Sequence, residues 1–164
     1  MVAIDRLHFA TDAGSAFDRE IVRHPGAVAV VPIDDDGRVV LIRQFRASVG
    51  APILEITAGT CDVTDEELEA TARRELVEEV GLEAELLEPL GSFMNSPGYC
   101  DQRTHVFLAT GLTMVERAPE GPEEIAATVE RHALSDAIEM IASGEIVDGT
   151  TAFGLLMAAR HRGR

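Results

Sequence analysis

The stretch RRELVEEVGL, residues 73–82, concentrates charge on about two turns of predicted helix. At about 100° per residue, four apolar residues align in one stripe that should pack on a sheet: Leu68, Ala72, Leu76 and Val80. Three carboxylates project together beside that stripe: Glu75, Glu78 and Glu79. They lack lysines at i+4, and partly desolvated carboxylates favour a hard cation such as Mg²⁺ or Mn²⁺. The spacing alone does not separate a metal site from a solvated acidic face.

The pattern around this helix predicts an α/β fold, with strands and helices in one layered domain. Residues 1–25 are predicted as a hairpin segment, and residues 26–164 as the main domain. β-Branched and alternating runs predict strands at 26–33, 38–45, 51–59, 82–93, 104–112 and 123–133. Helices are predicted at 65–80, with Gly81 as its stop, from a Ser135 cap to 142, and at 150–160.

Composition narrows the classes of function. The chain has 164 residues and a formal net charge of −15, which argues against a nonspecific grip on nucleic acid. No apolar run reaches the roughly 18 residues that a membrane span needs. The start MVAIDRLHF lacks the pattern of a secretory signal, and two cysteines do not make a disulfide framework. A cytoplasmic protein that binds neither nucleic acid nor membrane is expected.

The segment GTCDVTDEELEATARRELVEEVGL, residues 59–82, resembles the Nudix box. That pattern has a glycine, five residues, a glutamate, seven residues and then R-E-U-x-E-E-x-G-U, where U is a bulky aliphatic residue. The second half and Glu66 match, whereas six residues instead of five separate Gly59 from Glu66. The resemblance implies the Nudix fold, an α/β/α sandwich around a mixed β-sheet. It also implies hydrolysis of a nucleoside diphosphate linked to another group, with Mg²⁺ or Mn²⁺ as cofactor.

The same resemblance implies roles for individual residues. The metal ligands would be Glu75, Glu78, Glu79 and the backbone carbonyl of Ala58. Arg74 would hold the carboxylates in position, with support from Glu66.

Two segments outside the box resemble ADP-ribose pyrophosphatases. EITAG, residues 55–59, corresponds to a glutamate-x-proline-alanine-glycine sequence, with Thr57 in place of proline. Within RQFR, residues 43–46, the resemblance implies that Arg46 contacts a substrate phosphate. Glu55 is either a contact to the nucleotide or ribose, or an ordinary charge at a strand end.

The loop NSPGYCDQR, residues 95–103, resembles the S-P-G-x-x-[DNS]-E loop of these enzymes, in which Ser96 and Gly98 would shape a substrate-binding turn. The loop's glutamate is the usual candidate for the base that activates water, but Gln102 stands there and cannot accept a proton at neutral pH. Either Asp101 is the base, or one of Glu75, Glu78 and Glu79 is, or hydrolysis is slow and a related substrate is preferred.

The resulting expectation is a Mg²⁺-dependent hydrolase of ADP-ribose or a related nucleoside diphosphate sugar. The resemblance also implies a homodimer whose sites are completed by both subunits. Two alternatives stay open: a nucleotide-sugar-binding regulatory module with weakened catalysis, and a Nudix hydrolase of nucleoside triphosphates.

Overall fold

The computed structural model describes residues 2–163. Met1 and Arg164, which belong to the predicted segments 1–25 and 26–164, lie outside the described residues. The strands are β1 (Ala3–Ala10), β2 (Ala16–Arg23), β3 (Ala27–Pro32), β4 (Arg38–Arg46), β5 (Ala51–Glu55), β6 (Thr57–Thr60), β7 (Leu82–Met94), β8 (Arg103–Met114) and β9 (Thr128–Ala133). The helices are α1 (Leu68–Glu75), α2 (Pro122–Ala126), α3 (Leu134–Ser143) and α4 (Gly149–Arg162). A π-helical turn, Leu76–Val80, continues α1, and the two together are called the acidic helix below.

The sheets have the mixed topology that the sequence predicted. One sheet has the order β6-β3-β8-β7, in which β3 runs parallel to β8 and the other pairs are antiparallel. The other is antiparallel, with the order β5-β4-β9. The α/β prediction is therefore confirmed.

Alternating side chains on the strands divide the interior into two cores. On one side, Val28 and Val30 of β3 pack with Ala72 and Leu76 of the acidic helix. The alternate residues of β3 face the opposite side. Helices α3 and α4 cover that side through Ala137, Leu155 and Ala158. Because β3 is buried on both faces, its sequence is a continuous apolar run, as expected for a strand covered by helices on both sides. The acidic helix thus lies on one face of a sandwich.

The predicted strand at 51–59 is instead two strands in different sheets, with Ile56 between them. The N–H of Ile56 donates a hydrogen bond to Oγ1 of Thr151 at 3.0 Å, and Asp148 accepts hydrogen bonds from both the N–H and the hydroxyl of Thr151 at 2.7 Å. This buried contact with the start of α4 satisfies the backbone where the chain leaves one sheet for the other. A periodicity of two continues through such a break, so the pattern alone does not reveal it.

Other boundaries also differ from the predictions. The acidic helix begins at Leu68 rather than at residue 65, and it ends as predicted at Gly81, whose φ of 65° is left-handed. The predicted strand at 123–133 begins as α2, with proline at its first turn, and only its second half is a strand. Ser135 lies inside α3, whose N-cap is Ala133, so the predicted cap is wrong.

At the N-terminal end, β1 and β2 pair in a two-stranded antiparallel hairpin. An isolated bridge between Val22 and Cys100 connects the hairpin to the rest of the chain, together with an ion pair from Arg23 to Asp101. A second ion pair, from Arg23 to Asp5, joins the two strands of the hairpin. Among residues 2–163, no helix is long and apolar enough to cross a membrane.

Candidate active site

The acidic helix brings its carboxylates together at the edge of the apolar core. Glu79 is only 4% exposed and Glu75 only 9%, since both adjoin the buried stripe formed by Ala72, Leu76 and Val80. The side chain of Glu78 is also largely covered, at 15% exposure. Five residues that end this helix form a π-helical turn, a local irregularity that is frequent at functional sites. The three carboxylates therefore lie in a partly desolvated setting.

Arg74 is the cation that these carboxylates share. Its Nη1 lies 2.9 Å from Oε1 of Glu75 and 2.8 Å from Oε2 of Glu78, and its Nη2 lies 3.6 Å from Oε2 of Glu66. Glu66 is held in turn by the hydroxyl of Thr71 at 2.7 Å. One guanidinium thus links three acids, which is the positioning arrangement that the box resemblance implies.

Strand β6 supplies the opposite wall of the site. The N–H of Ala58 donates to Oε2 of Glu79 at 3.1 Å. A Cβ on the next residue, Gly59, would lie 2.0 Å from Oε1 of Glu75, so a side chain there would occupy the space of that carboxyl group. Glycine at this position lets the strand pass directly beneath Glu75. The extra residue between Gly59 and Glu66 is absorbed in the loop before α1, and the strand still meets the carboxylates.

Burial makes the two inner carboxyl groups poor acids. The pKa of Glu79 is raised to about 8, chiefly by desolvation, with smaller contributions from the charges of Glu75 and Glu124 and against the opposing effect of the Ala58 N–H. Desolvation also raises the pKa of Glu75 to about 7, although Arg74 favours its ionised form. Each group would ionise more readily beside an additional positive charge. Strongly raised pKa values in a cleft are a physical indication of a functional site.

These side chains line a cleft of about 250 Å³. Six carboxylates face only two guanidiniums in its wall. The lining residues are Arg46, Ala58, Gly59, Thr60, Asp62, Arg74, Glu75, Glu78, Glu79, Glu120 and Glu124. Such an excess of negative charge attracts cations, and it would repel a polyphosphate that arrived without them.

Arg46, which was predicted to contact a substrate phosphate, lies in this cleft at the end of β4. Its Nε donates to Oε2 of Glu55 at 2.8 Å, and Glu55 is 8% exposed. Burial raises the pKa of Glu55, while the arginine opposes that effect. Glu55 is thus in a position to orient the guanidinium of Arg46, which is 40% exposed and can reach a ligand. Glu55 does not itself line the cleft.

The sequence analysis did not single out Glu120 and Glu124, which complete the cleft from the loop after β8. The N–H of Glu120 donates to Oε2 of Glu124 at 2.8 Å, so the loop orients this carboxylate itself. Glu124 fell within the strand predicted at 123–133, and no element was predicted at Glu120. The glutamates around Gly121 and Pro122 were the available signal, but a run of charges is usually solvated.

The loop at residues 95–102 lies outside the lining of this cleft. Asp101 accepts hydrogen bonds at 2.8 Å from Arg23 and from the N–H of His24. These two hydrogen bonds lower the pKa of Asp101, and the one from Arg23 has the larger effect. The backbone carbonyl of Ser96 accepts from the N–H groups of residues 99 and 100, which closes the turn containing Gly98. Gln102 likewise does not line the cleft, so the structure does not bring this loop's predicted residues together with the box carboxylates.

As the side chains stand, no three His, Cys, Asp or Glu residues within 2–163 converge around a single point suited to an ion. Glu75 and Glu78 are directed at Arg74, and Glu79 at the N–H of Ala58. Holding a cation would therefore require at least one carboxylate to exchange its present partner for the ion.

Comparison with known proteins identifies the family. The profile of the NUDIX domain matches residues 23–148. An ADP-ribose pyrophosphatase of Bacillus subtilis (strain 168) is 42% identical over 142 residues, which cover 87% of this chain and 76% of that protein. An ADP-ribose pyrophosphatase of Mycobacterium tuberculosis (strain ATCC 25618 / H37Rv) is 37% identical over 154 residues, covering 94% and 74%.

The fold has a close structural counterpart. A crystal structure of an ADP compounds hydrolase superposes with a TM-score of 0.88 at 22% identity, and the match covers 99% of this chain and 87% of that one. Together with the acidic helix and its box sequence, these matches establish that the chain belongs to the Nudix family of pyrophosphohydrolases.

Proposed function

We propose that this enzyme hydrolyses the diphosphate bond of ADP-ribose or a related nucleoside diphosphate sugar. The products would be a nucleoside monophosphate and a sugar phosphate. The observation that carries the proposal is the cleft in which Glu75, Glu78 and Glu79 face Arg46. Two relatives named ADP-ribose pyrophosphatase support the choice of substrate, and their sequence matches cover most of this chain.

The residues of the cleft fit a divalent cation, and we propose Mg²⁺, with Mn²⁺ as a substitute. The donors are carboxylate oxygens, which Mg²⁺ prefers. Glu75, Glu78 and Glu79 would hold the ion with the carbonyl oxygen of Ala58, and the missing Cβ of Gly59 leaves room for the carboxyl group of Glu75. When bound, the cation would neutralise diphosphate charge and lower the pKa of a coordinated water.

Arg46 is proposed to bind a phosphate of the substrate. Its guanidinium offers donors beyond the Nε–H that Glu55 occupies, and a planar guanidinium matches the geometry of phosphate oxygens. Glu55 would hold the arginine in place through the buried hydrogen bond. Arg74 would keep the box carboxylates in position.

The proposed reaction adds one water across the P–O–P linkage. A carboxylate accepts a proton from the water, the water oxygen bonds to the attacked phosphorus, and the bridging oxygen leaves with the other phosphate. We propose that Glu120 or Glu124 accepts the proton, because both line the cleft from a loop outside the acidic helix and neither is held by Arg74. The box residues Glu75, Glu78 and Glu79 remain alternatives.

Asp101 is a weaker candidate for this role. It is held by Arg23 and the N–H of His24, and a carboxylate with a lowered pKa is a poor base. Ser96, Gly98 and Gln102 remain predicted to contribute to substrate binding or to the environment of the water. Movement of their loop on substrate binding, or contact with a second subunit, would be required.

We propose a homodimer as the functional assembly. The hairpin of β1 and β2 leaves Ile4, Phe9 and Phe17 exposed at 71%, 41% and 38%. A two-stranded hairpin is marginal in water on its own, so a partner surface over these residues would stabilise it. The free thiols of Cys61 and Cys100 support a cytoplasmic location. Light scattering at micromolar concentration should give twice the 17.6 kDa mass of the chain.

The test is product analysis over a panel of nucleoside diphosphate sugars and nucleoside triphosphates with Mg²⁺. We expect ADP-ribose to yield AMP and ribose 5-phosphate, and Glu78→Gln to reduce turnover at least about 10²-fold. Turnover confined to triphosphates would select the alternative substrate class. Binding of ADP-ribose without product, unchanged by Gln102→Glu, would select a regulatory binder.

A further inference from the structure

Arg117 makes an unusual set of contacts just beyond the end of β8. Its Nη2 donates to the backbone carbonyl of Glu124 at 3.0 Å and its Nη1 to that of Ala127 at 3.4 Å. Within residues 2–163, no carboxylate lies within ion-pairing distance of this guanidinium, although the chain carries 29 acidic residues. Its charge is therefore directed at backbone carbonyls, both at the C-terminal end of α2. Cations are favoured at that end of a helix.

The same arginine is fixed against the end of the acidic helix. The N–H of Val115 donates to the carbonyl of Gly81 at 2.9 Å. A Cβ on Gly81 would lie 2.8 Å from Cγ of Arg117 and 2.8 Å from the carbonyl oxygen of Val115. The segment leading to Arg117 thus crosses directly over Gly81, two residues beyond Glu79. Arg117 connects the acidic helix to the loop that faces it.

That loop, residues 118–127, is here called the acidic loop. It carries Glu120 and Glu124 into the cleft, where they meet the like charges of the box carboxylates. Its helix α2 has five residues, none of them buried, and Ile125 is 68% exposed. Ala127, at its end, is the residue of the loop that enters the core. Like-charge repulsion favours displacement of the loop, and little packing of its own opposes it.

We propose that Arg117 is a positioning residue that holds the acidic loop over the cleft. By fixing the carbonyls of Glu124 and Ala127 relative to Gly81, it sets the separation between the loop glutamates and the box carboxylates. The inference rests on the proposed function, in which Glu120 or Glu124 receives the proton of the attacking water. Arg117 itself does not line the cleft and would act only through the loop.

Two variants of Arg117 separate this role from general stability. Arg117→Gln removes the charge and one of the two carbonyl contacts, whereas Arg117→Lys keeps the charge and can reach one carbonyl. In metal-free protein with a chelator, amide hydrogen exchange in residues 118–127 should accelerate roughly tenfold in the glutamine variant and less in the lysine variant. Exchange in β3, at the centre of the core, should stay as in the wild type.

The kinetic readout is the division between kcat and KM. If the loop supplies the base, Arg117→Gln should lower kcat by about 10- to 100-fold with ADP-ribose and Mg²⁺, and it should change KM by less than about threefold. Arg117→Lys should recover part of the loss. A uniform loss of fold would instead lower the active fraction without slowing the molecules that remain folded.

Arg73→Gln is a matched control. Like Arg117, Arg73 lies outside the lining of the cleft, and its Nη1 donates to a backbone carbonyl, that of Ala84 at 2.6 Å, but Ala84 belongs to β7 and not to the acidic loop. Loss of Arg73 should leave exchange of the acidic loop unchanged. Equal exchange of that loop in wild type and Arg117→Gln overturns the proposal, as does faster exchange with unchanged kcat. If the wild type hydrolyses no substrate of the panel, the proposed function fails, and the exchange rates alone decide whether Arg117 anchors the loop.

Discussion

Replacing Glu79 by glutamine should stabilise the metal-free protein at alkaline pH. Glu79 is nearly fully buried, and its pKa of about 8 means that the fold resists its ionisation. A carboxyl whose pKa is higher in the folded protein than in the unfolded chain holds its proton more tightly when folded. The stability it contributes is therefore complete below about pH 4.5 and is lost as the pH rises through about 8.

The magnitude follows from the two pKa values. Because one pKa unit corresponds to about 1.4 kcal/mol, the ionised carboxylate destabilises the metal-free fold by about 4 kcal/mol at pH 8. The same relation gives less than about 1 kcal/mol at pH 5. Glutamine keeps an oxygen for the N–H of Ala58, but it brings amide donors that need partners, a cost that does not vary with pH. The decisive quantity is therefore the change in the effect of Glu79→Gln between pH 5 and pH 8.

Urea unfolding with a chelator measures this quantity. The substitution Glu79→Gln changes the free energy of unfolding, and this change should be about 3 kcal/mol more stabilising at pH 8 than at pH 5. The difference corresponds to roughly 10 °C in melting temperature. Glu83→Gln removes the same charge from an exposed position, and it controls for the change in net charge. Adding Mg²⁺ at pH 8 should stabilise the wild type and leave Glu79→Gln almost unchanged.

An effect of Glu79→Gln that is the same at both pH values would refute this reasoning, since the carboxyl would then ionise as readily in the fold as in the unfolded chain. Loss of stability specific to pH 8 would contradict it more strongly. It would mean that the buried anion is already stabilised by its surroundings without a cation.

Three further substitutions test the positioning of the site. Gly59→Ala should displace the carboxyl group of Glu75 and lower kcat by about 10²-fold, with a circular dichroism spectrum like that of the wild type. Arg74→Met should lower the free energy of unfolding in metal-free protein by about 2 kcal/mol at pH 8, and added Mg²⁺ should restore part of it, as measured by urea unfolding. Thr151→Val should cost about 1–3 kcal/mol in the same assay, because the buried N–H of Ile56 loses its acceptor. If Thr151→Val were as stable as the wild type, the hydrogen bond from Ile56 to Thr151 would not be what stabilises the break between β5 and β6.

The sequence predicted the fold class and the acidic helix because those features are periodic or local. The helical periodicity of 3.6 residues per turn predicted Leu76 in the core and Glu75 beside it. Gly81 indicated the end of the helix, because the residue that ends a helix often adopts a left-handed conformation. The family resemblance then predicted Arg46 and Arg74, both of which line the cleft.

The features that the sequence did not predict depend on contacts between distant segments. The break at Ile56 is set by Thr151, 95 residues later, and has no local signature. Glu120 and Glu124 line the cleft from a segment whose carbonyl at Glu124 contacts Arg117, which in turn lies against Gly81, and no spacing among the glutamates indicates these contacts. The hydrogen bond from Arg23 to Asp101 joins residues 78 positions apart, so the local loop sequence could not indicate it.

The most direct test of the central claim is titration of Mn²⁺ followed by electron paramagnetic resonance, with and without a non-hydrolysable ADP-ribose analogue. We propose that a divalent cation bound by the carboxylates of the acidic helix offsets the electrostatic repulsion among them. We predict saturable binding to the wild type, tighter with the analogue, and a loss of at least about tenfold in affinity when Glu75, Glu78 and Glu79 are all replaced by glutamine. Absence of bound Mn²⁺ in the wild type, or equal binding by the triple variant, would contradict the account.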